Sequence, residues 1–180
     1  MHYSLSDFIL ELVQNSLEAG ANDLHLIIKE EGHFFMQLSD NGKGMTEEEK
    51  NRALDPFFTD GIKHPNRRVG LGLAFLSQMV SQVQGDFSVI SGKNKGTCVS
   101  FSVPLDNVDT PPVGDISSAI RQAFSYDYDY ELFIERTCPS GYSYTLSRRE
   151  IASVLGDFSI VENALLLDSF IREQEASCNT

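Results

Sequence analysis

Two polar residues near the start of the chain have a spacing that suits chemistry. Glu11 and Asn15 are four residues apart, so on a helix their side chains point in nearly the same direction. A carboxylate can orient or deprotonate an attacking hydroxyl group, and a carboxamide oxygen can hold Mg²⁺, which prefers oxygen ligands. The same pair also occurs on ordinary solvent-facing helices, so the spacing alone leaves both interpretations open.

A glycine-containing segment, Asp40-Asn-Gly-Lys-Gly-Met45, directly follows a predicted strand. An aspartate at a strand end can accept a hydrogen bond from an exocyclic amine. Gly42 and Gly44 allow the backbone to turn tightly and to approach a ligand closely. A plain Asp-Asn-Gly turn has the same residues. The segment joins a strand to a helix rather than two paired strands, which keeps the ligand-binding interpretation open.

A second glycine pair lies in Arg68-Val-Gly-Leu-Gly-Leu-Ala74, which runs into a predicted helix. Gly70 and Gly72 expose backbone N–H groups at the helix N-terminus, where the helix dipole favours an anion such as a polyphosphate. The segment matches neither the GxxxxGK[ST] phosphate loop nor a dinucleotide-binding fingerprint. The glycine pair alone is therefore weak evidence for a phosphate site.

Two further segments complete the set of candidate positions. Asp55-Pro-Phe-Phe-Thr-Asp-Gly61 lies in a predicted loop, and we expect Phe57 to hold that loop against the core. Gly96-Thr97 opens a predicted strand. Thr97 either reaches a base, directly or through water, or is simply a β-branched residue in a strand, where such residues are common.

The elements that must position these residues follow from hydrophobic periodicity. Apolar residues at helical spacing predict a first helix, and Thr46 with Glu49 predicts a capped second helix. Alternating patterns predict the strand pairs 24–30 with 34–39 and 86–91 with 97–103, and a buried helix ends at Gly85. The order predicts an α+β fold, with helices on one face of a largely antiparallel sheet.

Composition excludes several classes of protein. The chain has 180 residues, a net charge of −12 and 41% hydrophobic residues, which excludes a disordered chain. No stretch has the roughly 18–20 apolar residues of a membrane span. Nucleic-acid binding is not expected, because phosphate contacts require Lys and Arg. Cys98, Cys138 and Cys178 are odd in number and far apart, so we expect no disulfide and a reduced, cytoplasmic protein.

The charge divides unevenly along the chain. Residues 1–104 carry nine Lys and Arg against 13 Asp and Glu, whereas residues 105–180 carry five Arg against 13 Asp and Glu. The two parts have net charges of −4 and −8. We therefore divide the chain into a domain at 1–104, a Pro- and Asp-rich linker at 105–114, and a small acidic α+β extension at 115–180. In the extension we predict a helix at 116–124, a hairpin around 139–141, a helix that Ser147 caps with Glu150, and a final helix.

The order and spacing of the candidate segments resemble the GHKL family, the ATP-binding fold of DNA gyrase, the heat-shock chaperone, histidine kinases and MutL. Five segments carry the resemblance, over about residues 5–104. They are similar to the N box (Glu11 to Ala21), the first glycine box (Asp40 to Met45), the histidine-kinase F box (Asp55 to Thr59), the second glycine box (Val69 to Ala74) and the final Gly96-Thr97 strand.

The resemblance implies a two-layer α/β sandwich that binds ATP with Mg²⁺. Glu11 would be the general base and Asn15 the Mg²⁺ ligand. Asp40 would recognise the adenine amino group, supported by Thr97, with Gly44 keeping the pocket wall close. The remaining nucleotide-binding positions would be Gly42, Met45, Gly70, Leu71, Gly72 and Leu73, and Lys63 and Arg68 are candidates for extra phosphate contacts. Residues 46–68 would form a mobile lid over ATP.

The resemblance leaves three functions open. The first is a slow Mg²⁺-dependent ATPase that acts as a conformational switch on a protein partner. The second is a protein kinase that phosphorylates a separate partner. The third is a non-catalytic nucleotide-sensing subunit. In each case we expect a protein partner, bound through the lid or the acidic C-terminal region, and the sequence also leaves a homodimer open.

Overall fold

The computed structural model describes residues 3–57 and 71–179. The first half contains two helices flanking a strand pair, followed by a third helix and a second strand pair: α1 (Asp7–Glu18), β1 (Asp23–Glu30), β2 (His33–Asp40), α2 (Glu47–Ala53), α3 (Leu71–Gln82), β3 (Asp86–Ser91) and β4 (Thr97–Pro104). The second half contains α4 (Ile116–Phe124), β5 (Glu131–Thr137), β6 (Ser143–Ser147), α5 (Arg148–Leu155), α6 (Val161–Ala176) and a 3₁₀ helix (Ser177–Asn179).

The six strands of the described residues belong to one mixed sheet with the order β3-β4-β2-β1-β5-β6. Every neighbouring pair is antiparallel except β1 with β5, which is parallel. The register of β2 on β4 places Asp40 opposite Thr97. Two residues that the sequence separates by more than fifty positions therefore lie side by side at one end of the sheet.

Burial alternates along the central strands, so one face of the sheet forms the core. On β1, Leu24, Leu26 and Ile28 are fully buried, and the side chains between them are partly exposed. The helices cover the buried face, with α4 packed against both α1 and α6. The predicted α+β fold, with helices on one face of a largely antiparallel sheet, is confirmed.

The acidic C-terminal region continues the same sheet. The predicted helix at 116–124 is α4, and the predicted hairpin is formed by β5 and β6. Ser147 caps α5 as expected, because its hydroxyl oxygen accepts a hydrogen bond of 3.2 Å from the Glu150 N–H. Since β5 pairs with β1 in a parallel register, the region after 114 contributes to the same core. The division at 105–114 stays a prediction about the limits of the ATP-binding unit.

Two sequence-based expectations were wrong. Cys138 and Cys178 form a disulfide, because the turn after β5 meets the C-terminal 3₁₀ helix, whereas Cys98 is a free thiol. Phe57 does not hold the lid segment to the core, since its side chain is 90% exposed. The expectation of a reduced, cytoplasmic compartment rested in part on the absence of a disulfide, and it stays a prediction.

Candidate functional site

Asp40 ends β2 and is oriented by three donors from different parts of the chain. Its Oδ2 accepts a hydrogen bond of 2.6 Å from the Ser16 hydroxyl on α1. Its Oδ1 accepts hydrogen bonds from the N–H groups of Gly42, at 2.9 Å, and Thr97, at 3.2 Å. A carboxylate has about four lone-pair sites. Among the contacts of residues 3–57 and 71–179, one acceptor position on Oδ2 is therefore left for a further donor, such as an amine.

Two glycines allow the backbone to close around this aspartate. Gly44 and Gly96 both have positive φ, at 64° and 74°. A Cβ atom at position 44 would overlap with the Gly92 carbonyl oxygen, and one at position 96 would overlap with the carbonyl oxygen of Asp40. The first glycine box, the β3–β4 turn and the end of β2 therefore meet at backbone contact distance, which only glycine permits.

Ser91, at the end of β3, joins several of the predicted positions. Its hydroxyl oxygen accepts a hydrogen bond of 2.8 Å from the Met45 N–H. It also lies 2.8 Å from the Thr97 hydroxyl oxygen and 3.1 Å from the Gly96 carbonyl oxygen. Met45 and Thr97 are thus fixed through one serine that sequence reasoning missed. Ser16 was missed in the same way, although it directly follows Asn15 in the predicted N box.

The other end of the candidate site lies where α1 meets α3. Glu11 and Asn15 are both partly exposed on α1, and neither side chain has a hydrogen-bond partner within residues 3–57 and 71–179. A Cβ atom at position 72 would overlap with the Glu11 carboxylate, so Gly72 is in direct contact with that side chain. The predicted general base therefore lies against the first turn of α3.

The first turn of α3 contains three predicted nucleotide-binding residues. Leu71, Gly72 and Leu73 begin the helix, and the first N–H groups of a helix have no partner within it. The Leu73 side chain is buried in the core, so only its backbone is available at this site. The predicted positions Lys63, Arg68 and Gly70 lie outside the described residues, as does Phe58.

Helix α1 connects the two ends of the site. Ser16 binds Asp40 at one end and Glu11 contacts Gly72 at the other. Glu11 and Ser16 are five positions apart, about 7.5 Å along the helix axis at 1.5 Å per residue. Asn15 lies one turn from Glu11 on the same side. The arrangement places the Asp40 carboxylate near one end of α1, and the first turn of α3 beside the Glu11 carboxylate near the other.

The start of the expected lid and the C-terminal region both lie near residues of this site. Thr46 caps α2 through a complete capping box with Glu49, as the sequence predicted, and α2 starts the expected lid. Tyr126 follows α4 and lies near α1. Burial raises the pKa of the Tyr126 hydroxyl, and the nearby carboxylates of Glu11 and Glu18 raise it further. Tyr130, four positions later, is fully buried.

Comparison with known proteins identifies the family. The family model for histidine kinase-, DNA gyrase B- and HSP90-like ATPases matches residues 3–107, which is more than half of the chain. The chain belongs to this ATPase family. Members of the GHKL family are ATP-using kinases and ATPases, so ATP binding by this region is supported. No helix within the described residues has the length and apolar character needed to span a membrane.

Two curated GHKL relatives illustrate the range of the family. Sporulation kinase B of Bacillus subtilis (strain 168) is 31% identical over 106 residues, 57% of this chain and 24% of that protein. DNA mismatch repair protein MutL of Colwellia psychrerythraea (strain 34H / ATCC BAA-681) is 34% identical over 76 residues, 42% of this chain and 12% of that protein. The chain therefore spans a quarter or less of the length of these relatives.

A solved structure extends the likeness of fold into the C-terminal region. The N-terminal domain of a DNA repair protein has a TM-score of 0.54 and 21% sequence identity to this chain. It covers 86% of this chain, and this chain covers 57% of it. The shared coverage is larger than residues 3–107, so the likeness of fold is not limited to the GHKL family match.

Proposed function

We propose that this chain binds Mg²⁺-ATP along α1 and hydrolyses it slowly, as a conformational switch that acts on a protein partner. The observation that carries the proposal is the contact between the Glu11 carboxylate and Gly72 at the first turn of α3. It brings a candidate general base to an anion-binding helix terminus, with the Asn15 amide one turn away. A phosphate bound at that terminus would be within reach of both side chains.

The residues present fit the nucleotide at both ends of the candidate site. Asp40 keeps one acceptor position free after accepting three hydrogen bonds, which suits the amino group of adenine. The backbone N–H groups of Leu71, Gly72 and Leu73 would bind phosphate oxygens. Asn15 would hold Mg²⁺, which would neutralise part of the phosphate charge.

Glu11 would take a proton from the attacking water. Its carboxylate has no competing hydrogen bond within the described residues, so it is free to accept one from a water molecule. General-base catalysis contributes typically about 10²–10⁴-fold to a rate. The partner would respond to the nucleotide through α2 and the residues that follow it, or through the acidic C-terminal region.

A second candidate function is phosphorylation of a separate protein. The similarity to Sporulation kinase B favours it, since that protein is a kinase by name and aligns over 57% of this chain. Glu11 does not distinguish the two functions, because the same base can activate water or a protein hydroxyl group. The fate of the γ-phosphate distinguishes them.

The test follows γ-labelled ATP with the purified chain, with and without Mg²⁺, while calorimetry measures ATP binding. We expect free labelled phosphate that requires Mg²⁺. Glu11→Gln should retain ATP binding and lower phosphate release at least about 100-fold. Glu18→Gln is the matched control, because Glu18 lies on the same helix and is exposed, and it should behave like the parent chain.

Each other outcome has a distinct meaning. Label on the chain itself or on an added protein would favour the kinase function over hydrolysis. Bound but unchanged ATP would favour a nucleotide sensor. Absence of ATP binding would overturn the proposal altogether, and normal hydrolysis by Glu11→Gln would remove the assigned role of Glu11.

A further inference from the structure

An apolar groove lies between α5 and α6, away from the candidate nucleotide site. It has a volume of about 490 Å³ and is open to solvent. Five apolar side chains line it, and polar residues border it. The lining residues are Ile151, Val154, Leu155, Leu166 and Phe170, with Glu150, Ser169 and Glu173 beside them.

The groove exists because α6 is apolar on two sides. Leu167 and Ile171 are fully buried against the core. Leu166 and Phe170, each one position earlier, point instead toward α5 and remain exposed, Leu166 by 55%. A surface helix normally has one apolar stripe, which faces the core. A second apolar side, continued by the 82%-exposed Val154 on α5, is typical of an interaction surface.

The charges at the groove favour one kind of occupant. Glu150 and Glu173 border the apolar floor, and neither carboxylate has an ion-pair partner in the described part of the chain. Residues 105–180 carry a net charge of −8. A second copy of this chain would bring further negative charge to the same border, which opposes association. A positively charged partner would instead complement it.

We propose that the α5–α6 groove binds an amphipathic helix of a partner protein, with an apolar face bordered by Lys and Arg. A helix in a groove is recognised by apolar side chains at positions i, i+3 or i+4, and i+7. These would contact Val154, Leu166 and Phe170, while the cations pair with Glu150 and Glu173. The inference rests on the partner that the proposed function requires, but not on nucleotide binding.

The test uses a fluorescent 18-residue helical peptide built from Leu and Lys, with Leu on one face. Its binding to the chain is measured by fluorescence anisotropy, without nucleotide. A peptide of the same composition with scrambled Leu positions is the control. We expect the amphipathic peptide to bind at least about tenfold more tightly than the scrambled one. Replacing Glu150 and Glu173 with Gln should weaken binding and reduce its dependence on salt.

Two single substitutions address the apolar floor. Val154→Asp and Leu166→Asp should each weaken peptide binding at least about tenfold, and both sites are exposed, so the fold should tolerate them. Val108→Asp is the matched control, because Val108 is 95% exposed and does not line the groove, and it should leave binding unchanged. Circular dichroism of each variant verifies that the chain is folded.

Three results would overturn the inference. They are equal binding of the scrambled peptide, unchanged binding by both Asp variants, or a dimer in light scattering that Leu166→Asp dissociates. The last result would mean that a second copy covers the groove. Because no nucleotide is present, failure here is separate from failure of ATP binding in the earlier test.

Discussion

The hydrogen bonds of Asp40 show why an aspartate, rather than an asparagine, suits this position. Oδ1 accepts from two backbone N–H groups, which uses both of its lone pairs. Oδ2 accepts from the Ser16 hydroxyl and keeps one lone pair. An asparagine would retain Oδ1 and present its NH₂ group to Ser16, whose hydroxyl can rotate and become the acceptor. The fold would tolerate the change, but the free acceptor would be lost.

Asp40→Asn should therefore separate ligand binding from stability. We expect ATP affinity to fall at least about tenfold, since an amide NH₂ would face the adenine amino group, and a tenfold change is about 1.4 kcal/mol. The free energy of unfolding should fall by only about 1 kcal/mol. Calorimetry with ATP and urea unfolding measure the two quantities. Asp23→Asn, at an exposed position on β1, is the control, and parental ATP affinity in Asp40→Asn would contradict the assigned role.

At the scale of elements, α4 holds the C-terminal region to the N-terminal half. It packs against α1 on one side and α6 on the other. Asp115 caps it, because its carboxylate accepts hydrogen bonds from the Ser118 N–H, at 2.9 Å, and from the Ser118 hydroxyl, at 2.7 Å. These bonds, with the Arg172 guanidinium, lower the pKa of Asp115 below its usual 3.8. The cap is therefore charged in the folded chain at any pH above that value.

Asp115→Ala should lower the free energy of unfolding by about 1 kcal/mol at pH 7, whereas Asp115→Asn, which keeps a capping oxygen, should lose less. Because the folded-state pKa is depressed, the contribution is complete above about pH 4 and is lost as the pH falls below it. Urea unfolding at pH 7 and at lower pH measures both effects. Asp106→Ala, exposed in the preceding segment, is the control. A deficit of Asp115→Ala that stayed constant down to acid pH would contradict this account.

For the whole molecule, local sequence signals predicted most of the helices and strands. The contacts between residues far apart in the chain could not be predicted from the sequence. Thr46 and Ser147 were predicted as helix caps because a cap depends on residues three positions away. The hydrogen bond from Ser16 to Asp40 joins residues 24 apart, and Met45 reaches Ser91 across 46 positions. Such contacts depend on which strands become neighbours. The parallel pairing of β5 with β1 is of this kind, and no turn chemistry specifies it.

The disulfide is also a contact between residues far apart in the chain, and the sequence did not predict it. Its presence leads to a prediction about the stability of the whole chain. Cys138 and Cys178 close a loop with a sequence separation of 40. A cross-link of this size restricts the unfolded chain and typically contributes about 2–4 kcal/mol to the free energy of unfolding. We expect reduction to lower that free energy by this amount, because it removes the restriction on the unfolded chain. Urea unfolding with and without a phosphine reductant measures the difference.

Counting thiols tests the covalent bond independently of stability. Alkylation under denaturing conditions should modify one cysteine per chain before reduction, at Cys98, and three after it, as read by mass spectrometry. Cys98→Ser is the matched control, and its unfolding should respond to reductant as the parent chain does. A variant with Ser at both 138 and 178 should match the reduced parent and no longer respond. Three reactive thiols in chain purified without reductant would contradict the cross-link, since a closed disulfide protects two of them.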